Sequence, residues 1–164
     1  MVEKDKVWSG KLKHSGIIDF SELYAFAYNW LVEEEYFVVE KVYNEKITGS
    51  GKEIEIKWVA SRKISDYFRF QLKFTWRIIL VPVEVERNGK RAKAESAKLE
   101  IKIEGVLEKD YEHRWENSSF LKFLRGVYDR YIIRGRIEDY ETKLYLEIEE
   151  FRKEIKSFLV LSGK

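Results

Sequence analysis

From Phe68 to Ile78 every even position is apolar (Phe68, Phe70, Leu72, Phe74, Trp76, Ile78) and every odd one is polar (Arg69, Gln71, Lys73, Thr75, Arg77). A period of two with one greasy side predicts an antiparallel strand whose single face is buried. The same alternation runs through Ile54, Ile56 and Trp58 against Glu53, Glu55 and Lys57, and the preceding Thr48-Gly49-Ser50-Gly51 closes a β-rich stretch from Tyr36 to Ile47. Near the start, Val7 to His14 sets Trp8 and Leu12 on one side and Lys11 and Lys13 on the other, which predicts a short strand ended by Ser15-Gly16.

Asn88-Gly89 is the preferred pair for a two-residue hairpin turn, because both central residues need positive φ. Setting Arg87 opposite Lys90 and counting back places Trp76 opposite Ile101, Phe74 opposite Ile103, Arg77 opposite Glu100, Lys73 opposite Glu104 and Glu84 opposite Lys93. Apolar meets apolar and opposite charges meet, so a slip of one residue would lose every match together. Beyond Ile78 the apolar parity changes: Ile79, Val81, Val83 and Val85 take over, facing Lys98, Ser96, Ala94 and Ala92. The only proline, Pro82, falls in the switched section, so a bulge or strong twist is expected near 79–83.

Helical spacing appears where strand spacing stops. Asp19 with Glu22 three residues on reads as an N-cap and capping box, and Phe20, Leu23, Tyr24, Ala27, Trp30 and Leu31 follow at intervals of three and four, predicting a helix over about 19–35. Phe26, Tyr28 and Val32 broaden its apolar stripe, so this helix is expected to be covered on more than one side. Near the end, Asn117 or Ser118 caps a helix carrying Phe120, Leu121, Leu124, Val127, Tyr128 and Tyr131, which Arg134-Gly135-Arg136 interrupts. A longer helix then runs through Ile137, Tyr140, Leu144, Ile148, Phe151, Ile155 and Phe158. The expected fold is a single α+β domain over 1–164: an antiparallel sheet of four to five strands with a long Asn-Gly hairpin, packed by one N-terminal helix and two C-terminal helices.

Composition narrows the chemistry. With 164 residues and no cysteine, a thiol nucleophile, a disulfide framework and a thiolate metal site are all excluded. The longest apolar run, Ile78 to Val83, is far below the ~20 residues of a membrane span, and the charged N-terminus has no signal-like apolar stretch, so a soluble, cytoplasmic protein is expected, not one in a membrane. Charged residues make up 37%, yet the formal net charge is only +2, which argues against a general nucleic-acid coat. A Glu/Lys-rich chain with one Pro and one Met resembles proteins from hot environments.

No catalytic motif is present: His14 and His113 are far apart in sequence, and there is no phosphate loop or nucleophile elbow. A non-enzymatic role without cofactor or metal is therefore expected. The polar cluster Asp110 to Glu116 offers carboxylates and His113, and reads first as a loop whose Tyr111 and Trp115 plug the end of the core. Two basic clusters stand out, Arg87, Lys90, Arg91, Lys93 and Lys98 at the hairpin tip and Lys122, Arg125, Arg130, Arg134 and Arg136 at the first C-terminal helix.

The segments Tyr28-Asn29-Trp30-Leu31, Ser65-Asp66-Tyr67-Phe68-Arg69-Phe70, Asp110-Tyr111-Glu112 with Trp115, and Lys122-Phe123-Leu124-Arg125-Gly126 resemble an uncharacterised, mainly archaeal protein family. The resemblance implies an archaeal origin and brings no assigned activity, cofactor or site residue.

Three functions are compatible with these patterns. The leading one is a self-associating interaction or scaffold protein, whose surface would be Val81, Val83, Val85, Ala92 and Ala94 on the switched hairpin face with Phe26 and Tyr28 on the first helix. The second is a nucleic-acid-binding module using Arg87, Lys90, Arg91, Lys93, Lys122 and Arg125. The third is a carrier of an apolar small molecule or lipid in a cavity beneath the first helix.

Overall fold

The structure, a computed structural model, describes residues 3–65, 67–109, 119–127 and 134–162. The Asp110 to Glu116 cluster, the Asn117 and Ser118 cap, and Asp66, Tyr128, Arg130 and Tyr131 lie outside the described residues. Five strands and three helices follow in the order β1 (Glu3–Ile17), α1 (Phe20–Glu33), β2 (Phe37–Thr48), β3 (Gly51–Lys63), β4 (Phe68–Arg87), β5 (Lys90–Lys109), α2 (Ser119–Val127) and α3 (Arg134–Ser162). α3 begins three residues before Ile137, so Arg134-Gly135-Arg136 opens the long helix rather than standing between two helices. All neighbouring strands are antiparallel and the sheet order is β1-β5-β4-β3-β2.

β4 and β5 pair without interruption from Phe68 opposite Lys109 to Arg87 opposite Lys90, joined by Asn88 (φ 54°) and Gly89 (φ 78°). The bulge expected near 79–83 is absent. Register shifts occur instead in the two edge strands, between Lys6 and Trp8 in β1 and between Glu40 and Val42 in β2. The parity switch has another cause. β3 pairs with β4 only as far as Lys52 opposite Leu80, so β4 is a central strand up to Leu80 and a free edge beyond it. Pro82 sits in that free part, where one side of the strand needs no donor.

One face of the sheet carries the core. Ile54, Ile56, Trp58 and Ala60 of β3, Phe68 to Leu80 at even positions of β4, and Leu99, Ile101 and Ile103 of β5 are buried beneath α1 and α3. Asp19 caps α1, accepting from the Glu22 backbone N–H at 3.3 Å, and Leu23, Ala27 and Leu31 point into the core. α3 lies across β1 and β5 through Leu144, Ile148, Phe151, Ile155 and Leu159. Glycine makes that approach possible: a Cβ on Gly105 would collide with Ile148 Cδ1. Gly105→Val is therefore expected to lower stability by about 2 kcal/mol through overpacking, measured by urea unfolding. An unchanged midpoint would mean that α3 does not rest on β5 there.

α1 is locked at both ends of its exposed flank. The Tyr24 hydroxyl donates to Glu40 Oε1 at 2.7 Å, and Trp58 Nε1 donates to the same oxygen at 3.3 Å. Burial, then the Glu40 carboxylate, pushes the Tyr24 phenol up to about 12. At the other end Arg62 donates to the Glu34 carbonyl at 2.8 Å and to Glu147 of α3, while the Tyr36 hydroxyl donates to Glu147 Oε2 at 2.6 Å. The Arg62 guanidinium also lies over the Tyr36 ring, 4.9 Å from its centroid. Arg62 and the half-buried Glu147 carboxylate thus tie β3, the end of α1 and α3 together.

Candidate functional site

The sheet has a second face, and no described helix packs on it. In an antiparallel ladder, residues directly opposite each other share a face, so the register identifies every residue on the outer side. β1 contributes Lys4, Lys6, Lys11 and Lys13. β4 contributes Arg69, Lys73 and Arg77, and β5 contributes Lys98 and Lys102. From β2 and β3 come Lys46, Lys57 and Lys63. Outside the Arg87–Lys90 rung at the hairpin tip, these twelve cations share the face with five carboxylates, Glu53, Glu55, Glu100, Glu104 and Glu108.

The face is therefore strongly basic in a chain whose total is only +2. The counterweight lies on the helical side: between Asp19 and Glu40 the chain has six carboxylates and no Lys or Arg. A net charge near zero does not report this arrangement, because a sum of charges carries no information about the sides of a sheet.

The carboxylates are also unevenly committed. Glu104 pairs with Lys6 at 3.3 Å, Glu100 with Lys11 at 3.4 Å, and the buried Glu108 with both Lys4 and Arg69. β5 lies between β1 and β4, so each of its glutamates has cations on either flank. Glu100 and Glu104 lean toward β1, although Arg77 and Lys73 stand directly opposite them as the sequence indicates. Among the described residues Lys13, Lys46, Lys73, Arg77, Lys98 and Lys102 consequently have no carboxylate at ion-pairing distance.

At the middle of the face the charges crowd. Lys102 is directly opposite Lys11 on one side and Thr75 on the other, and Lys57 lies opposite Thr75 on the same row. Three ammonium groups thus stand across four neighbouring strands; Lys11 is paired with Glu100 at 3.4 Å and Lys57 with Glu55 at 3.7 Å, and Lys102 between them has no carboxylate partner among the described residues. Phe37, 71% exposed, marks the β2 edge of the same face.

The residues singled out from sequence are distributed differently. Val81, Val83 and Val85 are half-buried on the outer face of the β4–β5 ribbon, with the exposed Ala92 and half-buried Ala94 opposite. Phe26 is not an open surface: it stacks on Phe158 of α3, ring centroids 4.9 Å apart. Tyr28 keeps 41% exposure but packs edge-on against Trp58. On α1 the last turns of α3 thus cover Phe26, while Tyr28 and Val32 stay exposed. Of the basic tip, Lys90, Arg91 and Lys93 are exposed; Lys93 stands opposite Glu84 as the sequence indicates, and Arg91 approaches the same carboxylate at 3.8 Å. Lys122 is exposed on α2 beside Phe120 and Phe123. The side chains of Arg87 and Arg125 fall outside the described part.

Two open clefts lie on the helical side. One, of about 540 Å³, separates the start of α1 from the base of the ribbon, and its walls carry Asp19, Glu22, Glu45, Glu95, Lys52 and Lys93. Another, of about 390 Å³, runs between α1 and α3 past Trp30, Leu146 and Glu150. The larger sets those ionic groups beside the apolar Ile17, Ile18, Phe20, Ile54 and Leu80. Among the described residues no His, Asp and Glu side chains converge as a metal site, and no helix is long and apolar enough to cross a membrane.

The lysine face was the feature that sequence reasoning missed, although its signal was present: Lys57, Lys73 and Lys102 each occupy the polar phase of an alternating strand, and register alone brings them together. Compared with known protein families and with curated proteins, the sequence matches none.

Proposed function

We propose that this protein binds the phosphate backbone of nucleic acid on the outer face of its sheet. The observation that carries the reading is the row on which Lys102 directly opposes Lys11, with Lys57 across Thr75. Like charges directly opposite on adjacent strands destabilise a sheet, and sites kept for function commonly retain such a cost. A polyanion relieves it.

The geometry favours nucleic acid over an acidic protein. Neighbouring strands lie about 4.8 Å apart and same-face residues along a strand about 6.7 Å apart, so the cations form a flat grid able to meet several phosphates at once. Each neutralised phosphate releases condensed counterions, which drives binding without any sequence readout. Protein interfaces are depleted of lysine and have apolar centres, whereas the centre of this face is lysine. The exposed Phe37 at its edge offers a ring for stacking on an unpaired base.

The test separates function from structure in a single variant. Lys102→Glu is expected to raise stability by about 0.5 kcal/mol, because a carboxylate opposite Lys11 replaces a like-charge pair, and to weaken oligonucleotide binding about tenfold. Thermal unfolding and fluorescence anisotropy read the two effects. Loss of stability with unchanged binding would contradict the proposal. The self-associating scaffold reading keeps the ribbon's Val81, Val83 and Val85 strip and the exposed Tyr28 of α1, and a monomer by light scattering at high concentration would remove it.

A further inference from the structure

From Pro82 opposite Glu95 to Arg87 opposite Lys90 the sheet is only two strands wide. β3 stops pairing with β4 at Leu80, and β1 stops pairing with β5 at Ser96, so both edges of this segment are free of strands. Its six paired rungs span roughly 20 Å at about 3.3 Å per residue. This is an arm, and its two faces are unlike. One presents Pro82, Glu84, Glu86, Arg91, Lys93 and Glu95. The other presents Val81, Val83, Val85, Ala92 and Ala94, and is continuous with the lysine face of the sheet.

That division matters for what the arm can approach. Its carboxylates lie on the side away from the lysines, so they do not repel a phosphate chain held on the outer face. The small side chains on the outer face let the backbone come close to a surface, and they are methyl-rich, as a contact with the thymine 5-methyl group requires. A two-stranded ribbon fits the ~12 Å major groove of B-form DNA, but not its ~6 Å minor groove nor the narrow major groove of A-form RNA.

We infer that the ribbon from Pro82 to Glu95 enters the major groove of duplex DNA while the lysine face holds the neighbouring phosphates; the inference rests on the phosphate-binding reading above. It makes the ligand double-stranded DNA and assigns the ribbon's Val/Ala face to the groove floor.

Fluorescence anisotropy with the full chain compares a 24-base-pair A·T-rich DNA duplex, an RNA duplex of the same sequence and single-stranded DNA. The DNA duplex is expected to bind at least tenfold more tightly than the RNA duplex. Ala92→Glu combined with Ala94→Glu should remove that preference while changing single-strand affinity less than threefold. Protection of guanine N7 from dimethyl sulfate by the unaltered protein checks groove entry even if the double variant does not fold. Equal affinity for both duplexes with no N7 protection overturns the groove assignment and leaves the phosphate-binding face standing. Binding to none of the three nucleic acids overturns both.

Discussion

Replacing Lys57, Lys73 and Lys102 together by glutamate is expected to weaken binding of a 20-base-pair DNA duplex about 1000-fold, roughly a tenfold loss, or 1.4 kcal/mol, at each position. All three side chains are exposed on the outer face, and no apolar packing depends on them, so the fold should survive. The salt dependence gives an independent reading of the same change. If the six uncommitted cations each neutralise one phosphate, log K falls against log salt with a slope of about −5. Replacing Lys73 and Lys102 removes two of those contacts, and reversal of Lys57 beside them flattens the slope further, to about −3 or less. The control reverses Lys143, Lys153 and Lys156 on α3, exposed on the helical side, and should leave both affinity and slope nearly unchanged. Equal losses from both triple variants would mean that net charge, not this face, is being sensed.

The largest effect on folding is expected from Glu147→Ala. Glu147 and Arg62 keep only 15% and 13% side-chain exposure, and removing one partner leaves the other charge with few alternatives. The expected loss is about 3 kcal/mol, or a fall in Tm of roughly 6–12 °C for a chain of this size. The same variant changes the pH dependence. Burial first, and then the Glu147 carboxylate, raise the Tyr36 phenol well above its ordinary value. A phenol whose folded pKa is raised contributes stability that is fully present below the unfolded value near 10 and is lost as pH climbs above it. The unaltered protein should therefore lose stability from about pH 10 upward, Tyr36→Phe should lose less over that window, and Glu147→Ala should show a shallower decline because one cause of the shift is gone. Thermal unfolding by circular dichroism at neutral pH and near pH 10.5 provides the comparison. A Tm within a degree of the unaltered protein would show that Arg62 and Glu147 do not hold the two helices to the sheet.

The parts of the fold that could be read from sequence are those set by local alternation. Phe68 to Ile78 marks its own buried face. Setting Trp76 opposite Ile101 and Phe74 opposite Ile103 follows from matching apolar and charged positions over many rungs, and the strands pair in that register. What alternation cannot report is which face another element will cover. The parity change after Ile78 read as a bulge or strong twist; the pairing has no bulge there, and the change marks the place where β3 ends. Phe26 read as surplus apolar surface because its cover, Phe158, lies more than a hundred residues away in sequence. The candidate site was hidden for a related reason. A near-zero sum of charges carries no information about sides, and the lysines of β1, β3, β4 and β5 meet only after the strands are ordered β1-β5-β4-β3-β2.

The placement of ligand on the outer face can be located directly by lysine acetylation footprinting of the full chain, read by mass spectrometry with and without saturating duplex DNA. The account predicts that Lys57, Lys73, Lys98 and Lys102 become protected while Lys143, Lys153 and Lys156 react as before. Protection confined to the helical side, or none at all under conditions where the DNA is bound, would contradict it.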